Sequence, residues 1–207
     1  MEDELNSPYT WSQLVAHQEA LGTLKGMMEV LTNDVDEFMD MAIVPNQIVP
    51  FSAMRAYVRA VFALVEGVCF GFRQLAARLP ETEHCLTQGE SAVLNDESYG
   101  LKDNGEVFTT TRFLKVQSGT RFTFAICSRV YKIHAEINYG DNGWDSFTKA
   151  IKIRDRLMHP KTVESLTVTK DEIGIVSDAL HWFLDAVHLT MDGMHAHLTK
   201  KAPLAEG

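Results

Sequence analysis

Leu14–Ala42, LVAHQEALGTLKGMMEVLTNDVDEFMDMA, decides the fold class. Its apolar residues Leu14, Leu21, Leu24, Met28, Leu31, Val35, Phe38 and Ala42 follow one another at steps of three, four or seven, with His17 in the one vacant slot. A stripe with that period is one face of an α-helix, so the segment predicts a helix of about thirty residues. Thr10 or Ser12 supplies the N-cap, because a short hydroxyl side chain can accept from a free N–H of the first turn.

Outward from this segment the helical period recurs. Pro45 and Pro50 bracket a connector, and Phe51–Ala77 reads as a second long helix that ends before Pro80, since a proline disfavours helical geometry in the residue before it. The period is lost over roughly 81–111. Within LKDNGEVF, the dipeptide Asn104-Gly105 tolerates the positive φ of a tight turn, which predicts a short β-hairpin over 98–110. Helical patterning returns at Phe113–Ala135, breaks at the turn-rich YGDNGW, resumes over Trp144–Met158, and closes with a helix after Thr169. The expected architecture is all-α: an up-and-down bundle of four or five helices with the hairpin inserted near 98–110. It forms a single domain over residues 1–199, followed by a flexible C-terminal tail, 200–207.

The last helix contains three successive heptads, DALHWFL, DAVHLTM and DGMHAHL, from Asp178 to Leu198. Leu180, Leu184, Val187, Met191, Met194 and Leu198 form an apolar seam. Asp178/His181, Asp185/His188 and Asp192/His195 fall on another face. His188, Asp192 and His195 have spacing that a metal could use, but a stripe repeated over three heptads suits packing beside solvated Asp/His pairs better than one coordination sphere. No metal and no cofactor is expected.

At 207 residues and 45% hydrophobic content the chain can bury one substantial core, or at most two small ones. Cys69, Cys85 and Cys127 are odd in number and lack C-x-x-C spacing, which argues against a disulfide framework or structural zinc and fits a reducing compartment. Cys69 and Cys127 lie among apolar residues and read as core. MEDELNSPYT is acidic and polar rather than signal-like, and the most apolar stretch, Val58–Phe72, is interrupted by Arg59 and Glu66. A cytoplasmic protein with no membrane partner is expected. The net charge of −9 opposes general nucleic-acid binding but leaves room for a local basic patch.

Lys149–Lys161, KAIKIRDRLMHPK, is such a patch, with five of the nineteen Lys and Arg residues. Pro160 predicts that the helix carrying Arg154 terminates at His159. An imidazole at a helix C-terminus sits where the macrodipole favours its protonated form, and Asp155 lies one turn back, able to orient it. Arg55, Arg59, Glu66 and Arg73 share a face of the second helix. Glu66 is flanked by Phe62, Val65 and Phe70, and a carboxylate in such company needs a cation, a hydrogen-bond donor or a proton. Arg154 is the partner that would link it to the basic patch; Arg59 or Arg73 would make a purely structural pair.

R-D-x-x-x-H near the end of a late helix in an all-helical chain resembles the R-[N/D/H]-x-x-x-H motif of the HEPN superfamily, and RDRLMHPK resembles its bacterial members. The likeness of pattern covers residues 10–198, but only the hexapeptide is diagnostic. The resemblance implies a homodimer that brings two such motifs to one cleft, and a metal-independent endoribonuclease acting as a toxin, a phage-defence effector or a processing enzyme, with an antitoxin or regulatory partner. Arg154, Asp155, His159 and Glu66 would form the catalytic group, and Lys152, Arg156 and Lys161 would hold the RNA backbone. Some members of the superfamily serve instead as binding or assembly modules, in which Arg154 and His159 would hold helices together. A charged helix end on an unrelated bundle is the third reading.

Other chemistries lack their motifs. The chain has no G-x-x-x-x-G-K-[ST], G-x-G-x-x-G, G-x-S-x-G or H-E-x-x-H. His84 and His134 have no evident partners. Phe122, Phe124, Trp144 and Phe147 fall at spacings more typical of core than of base stacking.

Overall fold

The computed structural model describes residues 10–43, 50–79, 82 and 85–201. Pro45, Pro80, His84 and residues 202–207 of the predicted tail lie outside them. The fold is mostly helical: among the described residues there are six α-helices and one two-stranded antiparallel sheet. The elements are α1 (Trp11–Ala42), α2 (Phe51–Ala77), α3 (Gln88–Leu94), β1 (Glu97–Leu101), β2 (Val107–Thr111), α4 (Val116–Val130), α5 (Asn142–Met158), a 3-10 turn (Glu164–Leu166) and α6 (Lys170–Lys201). They gather into two compact units. Of the described residues, one takes those from 25 to 43, 50 to 68 and 136 to 189, the other those from 10 to 24, 69 to 79, 82, 85 to 135 and 190 to 201. The predicted N-cap of α1 is Thr10: its hydroxyl accepts from the Gln13 amide at 3.3 Å while the Gln13 side chain accepts from the Thr10 amide at 2.9 Å. By length and composition α2 could cross a membrane, but 67% of its most apolar stretch is buried inside the protein, as in the core helix of a packed bundle.

In the first unit the core forms around aromatic rings from α2, α5 and α6. Phe147 is 1% exposed, with ring centroids of Phe62, Trp144, Trp182 and Phe183 at 6.3, 5.4, 5.1 and 6.2 Å. The Trp182 indole donates to the Asn138 carbonyl at 3.0 Å, so its one polar atom is satisfied. Asp141 caps α5 by accepting from the Trp144 amide at 2.9 Å, which starts the helix two residues before the Trp144 expected from its pattern.

In the second unit His17 fills the vacant slot of the α1 stripe. It is buried, and its Nε2 lies 2.9 Å from the Tyr131 hydroxyl, while the His197 ring meets Tyr131 edge-on with centroids 5.9 Å apart. Burial, and then repulsion from Arg78, lowers the pKa of His17 below its usual 6.5. A group with a depressed folded pKa takes up protons more readily in the unfolded chain. The stability it contributes is complete above its unfolded value and declines as pH falls from there through the lower folded one. His17→Gln keeps a polar partner for Tyr131 without the charge, and is expected to flatten the acid-side loss of stability. Denaturation midpoints measured for both proteins between about pH 7.5 and pH 5 check this, and identical slopes would contradict it.

Arg73, expected as one partner for Glu66, lies in this second unit and is committed elsewhere. It is 8% exposed, donates from Nη2 to both Asp96 oxygens at 3.1 and 3.2 Å, and reaches the Thr123 hydroxyl at 3.4 Å. Asp96 has a left-handed backbone, φ 55°, where it joins α3 to β1. Asparagine adopts that geometry at little cost, so Asp96→Asn leaves the backbone in place and removes the charge together with one of the two acceptor oxygens. A fully buried pair broken on one side loses about 3–5 kcal/mol; Asp96 keeps 23% of its side chain exposed, so about 2 kcal/mol is expected from the shift in denaturation midpoint.

The hairpin forms where Asn104-Gly105 placed it, with Gly105 at φ 82° and the register Glu97↔Thr111 to Leu101↔Val107. Cys69 and Cys127 are buried as expected, and burial pushes the Cys127 thiol pKa up. On α6 the burial differs from the expected seam. Val176, Ala179, Leu180, Phe183, Ala186, Val187, Thr190, Met194 and His197 are buried, whereas Leu184, Met191 and Leu198 are half-buried. All three Asp/His pairs face solvent.

Candidate active site

Arg154 projects from the C-terminal part of α5 and reaches α2 within the same unit. Its Nη2 donates to Glu66 Oε1 at 2.5 Å, and its Nη1 donates to Asp155 Oδ1 at 3.0 Å. The guanidinium is 22% exposed and Glu66 48%, so the pair sits at the rim of the unit rather than sealed in it. The apolar neighbours of Glu66 in sequence do not enclose it: Phe70 and Ala63 are exposed too, on the outward face of the helix. Of the other arginines on α2 in this unit, Arg55 donates to the Leu166 carbonyl at 3.2 Å, and Arg59 is exposed.

His159 is the C-cap of α5. Its amide still donates to the Asp155 carbonyl at 3.0 Å, but φ −128° and ψ 59° take it out of the helix, in agreement with the restriction that Pro160 imposes. The imidazole is exposed, and among the described residues no hydrogen bond holds it. Asp155 therefore orients Arg154 and leaves the imidazole open to solvent. Lys152 and Lys161 are also exposed.

Arg156 is placed differently from its neighbours. It forms a two-pronged pair with Glu172 at 2.9 and 3.0 Å and donates to the Thr167 carbonyl at 2.8 Å. Glu172 is itself half of a capping box: it accepts from the Thr169 amide at 3.0 Å while its own amide donates to the Thr169 hydroxyl at 3.2 Å. Burial alone would raise the Glu172 carboxyl, but the Arg156 and Thr169 hydrogen bonds outweigh it and hold the pKa below the usual carboxylate range. Arg156 and Arg55 thus pin the connection between α5 and α6 from two sides, and that connection carries His159 and Lys161. Sequence reasoning placed the last helix after Thr169 but did not single out its pairing with Glu172 or this use of Arg55. The T-x-x-E spacing of 169–172 signalled the cap but not its arginine partner.

Neither a protein-family model, nor a curated protein, nor a solved structure matches the chain. The HEPN resemblance accordingly rests on residues 154–161 and their helical setting.

A concavity of about 310 Å³ lies at the other end of α5, bounded by Asp141, Asp178, His181, Trp182 and Asp185. Three carboxylates at its edge repel a phosphate chain, so it does not extend the basic motif. Among the described residues no three His, Cys, Asp or Glu side chains are grouped to hold a metal ion. What Arg154 and His159 offer is an open imidazole for proton transfer, roughly one helical turn from a positioned guanidinium that can meet developing negative charge.

Proposed function

We propose that the chain is an endoribonuclease of HEPN type that cleaves RNA by attack of a 2′-hydroxyl on the adjacent phosphate. His159 accepts the hydroxyl proton, and a proton returns to the departing 5′-oxygen. The products are a 2′,3′-cyclic phosphate and a free 5′-hydroxyl. Arg154 offsets the charge that builds on the phosphate oxygens, and Asp155 sets the plane of its guanidinium. Lys152 and Lys161 draw in the backbone, while Arg156 acts through the connection it pins. The supporting observation is the exposed His159, held at the end of α5 in an anchored connection and flanked by exposed Met158 and Val163. That apolar flank suits a second copy closing over the motif to form a cleft. A cytoplasmic toxin or phage-defence role with a regulatory or antitoxin partner belongs to the same proposal.

One observation favours the competing reading, a binding or assembly module: the Arg154 guanidinium is already occupied by two carboxylates. Phosphate must share or displace them. The test is RNA cleavage in EDTA by the intact chain beside folded His159→Ala and Arg154→Ala. Loss in both variants supports the nuclease, and an inert wild type favours the module.

A further inference from the structure

The β-hairpin has an unused edge whose pattern matches itself. Bonds from the Arg112 amide to the Asp96 carbonyl at 2.7 Å and from the Lys102 amide to the Glu106 carbonyl at 2.9 Å fix the alternation of the ladder. Even-numbered residues of β2 bond to β1, so the N–H and C=O groups of Val107, Thr109 and Thr111 point away from it. Among the described residues nothing is bonded to these outward groups. All five residues of β2 are exposed, and VFTTT holds no charge and no proline, the devices by which edge strands usually avoid pairing. Tyr99, Leu101 and Val107 are 62%, 69% and 65% exposed on one face of the hairpin. On the other face Phe108 covers Gly100, where a Cβ would lie 2.5 Å from the ring. A two-stranded sheet with an open apolar face is marginal in water by itself.

We propose that β2 pairs antiparallel with β2 of a second copy of this chain, about a two-fold axis through Thr109. This register overlaps the whole strand: Thr109 faces Thr109, and Val107 faces Thr111, so every outward group finds a partner, in about six backbone hydrogen bonds. It also matches charge, because Glu106 of each copy faces Arg112 of the other. A slip that centres on Val107 sets Arg112 against Lys102, like against like, and one that centres on Phe108 leaves both charges without a counterpart. Glu106 is held at present by Lys102 in an exposed pair at 2.9 Å and by a long hydrogen bond from the Asn104 side-chain amide at 3.5 Å, contacts weak enough to share. The result is a four-stranded sheet with the two apolar faces side by side. This pairing does not depend on the proposed nuclease activity.

Sedimentation or light scattering of the full chain over a range of concentrations tests it. The wild type is expected to dimerise. Thr109→Pro removes an N–H that points away from β1, leaves the hairpin's own ladder intact, and is expected to weaken the dimer at least about tenfold. Glu106→Arg and Arg112→Glu each place like charges at both ends of the pairing and are expected to weaken it about tenfold, and combining them should restore it. The reversals keep the test decisive should the proline disturb the hairpin. A monomer at every concentration overturns the proposal, as does a dimer indifferent to these changes. Losses in both single reversals without recovery in the double variant overturn the register and with it the self-pairing.

Discussion

Phe147→Ala is expected to cost the folded chain about 3–5 kcal/mol, a large part of the stability of a domain this size. The ring is 1% exposed and meets four others, so its removal loses the transfer free energy of a phenyl group and leaves a cavity whose walls are rigid rings with little freedom to collapse. Phe147→Leu fills much of that space and should cost only about 1–2 kcal/mol. The two midpoints in chemical denaturation, at equal slope, check the pair; a loss below about 1 kcal/mol for the alanine would place the stability of this unit elsewhere. Phe147 precedes Arg154 by two turns of the same helix, so the core that seats α5 also sets how firmly the basic motif is presented. Variants of Arg154 and His159 lie outside this cluster and should keep most of the stability that Phe147→Ala removes.

Long periodic segments and their stops were legible because they depend on local rules. The stripe from Leu24 to Ala42 packs much as its spacing required, although Leu21 is 38% exposed, and α2 runs over the predicted Phe51–Ala77. The hairpin followed from Asn104-Gly105. The seven-residue helix Gln88–Leu94 escaped notice because so short a run shows no period; its sign was the capping box Thr87-x-x-Glu90, which the structure closes. Helix α4 is shorter than Phe113–Ala135 implied. Phe113 is 90% exposed ahead of its start, and Lys132, at φ 53°, follows its end. Contacts distant in sequence were illegible: His17 meets Tyr131, 114 residues away, and α6 buries a set of residues rotated from the heptad seam because α5 meets it through Trp182 and Phe183. At the basic motif, the cap at His159 followed from Pro160, whereas the commitment of Arg156 to Glu172 followed from nothing local.

In EDTA, cleavage of RNA by His159→Ala is expected to fall about 10²–10⁴-fold below wild type, the usual contribution of a positioned proton acceptor. Arg154→Ala should fall by about 10²–10³-fold, the cost of losing one charge-stabilising donor. The carboxylates on Arg154 make Glu66→Gln the variant that distinguishes a catalytic Arg154 from a structural one. If the guanidinium serves the phosphate, Glu66 is its competitor in the resting state. Neutralising Glu66 keeps a hydrogen-bond acceptor beside Arg154 but removes the charge that phosphate must displace, so cleavage should hold or rise while Arg154→Ala abolishes it. If the pair is structural, the chain leaves RNA intact, and Glu66→Gln and Arg154→Ala lower the denaturation midpoint together. The exposure of Glu66 limits that loss to about 1 kcal/mol, the range of ion pairs at the surface. Salt supplies an independent check. On a body of net charge −9 only the local cations attract RNA, so nuclease activity should be weak on nonspecific substrates and fall steeply as ionic strength rises, whereas a structural pair at the rim leaves only a slight salt dependence in the midpoint.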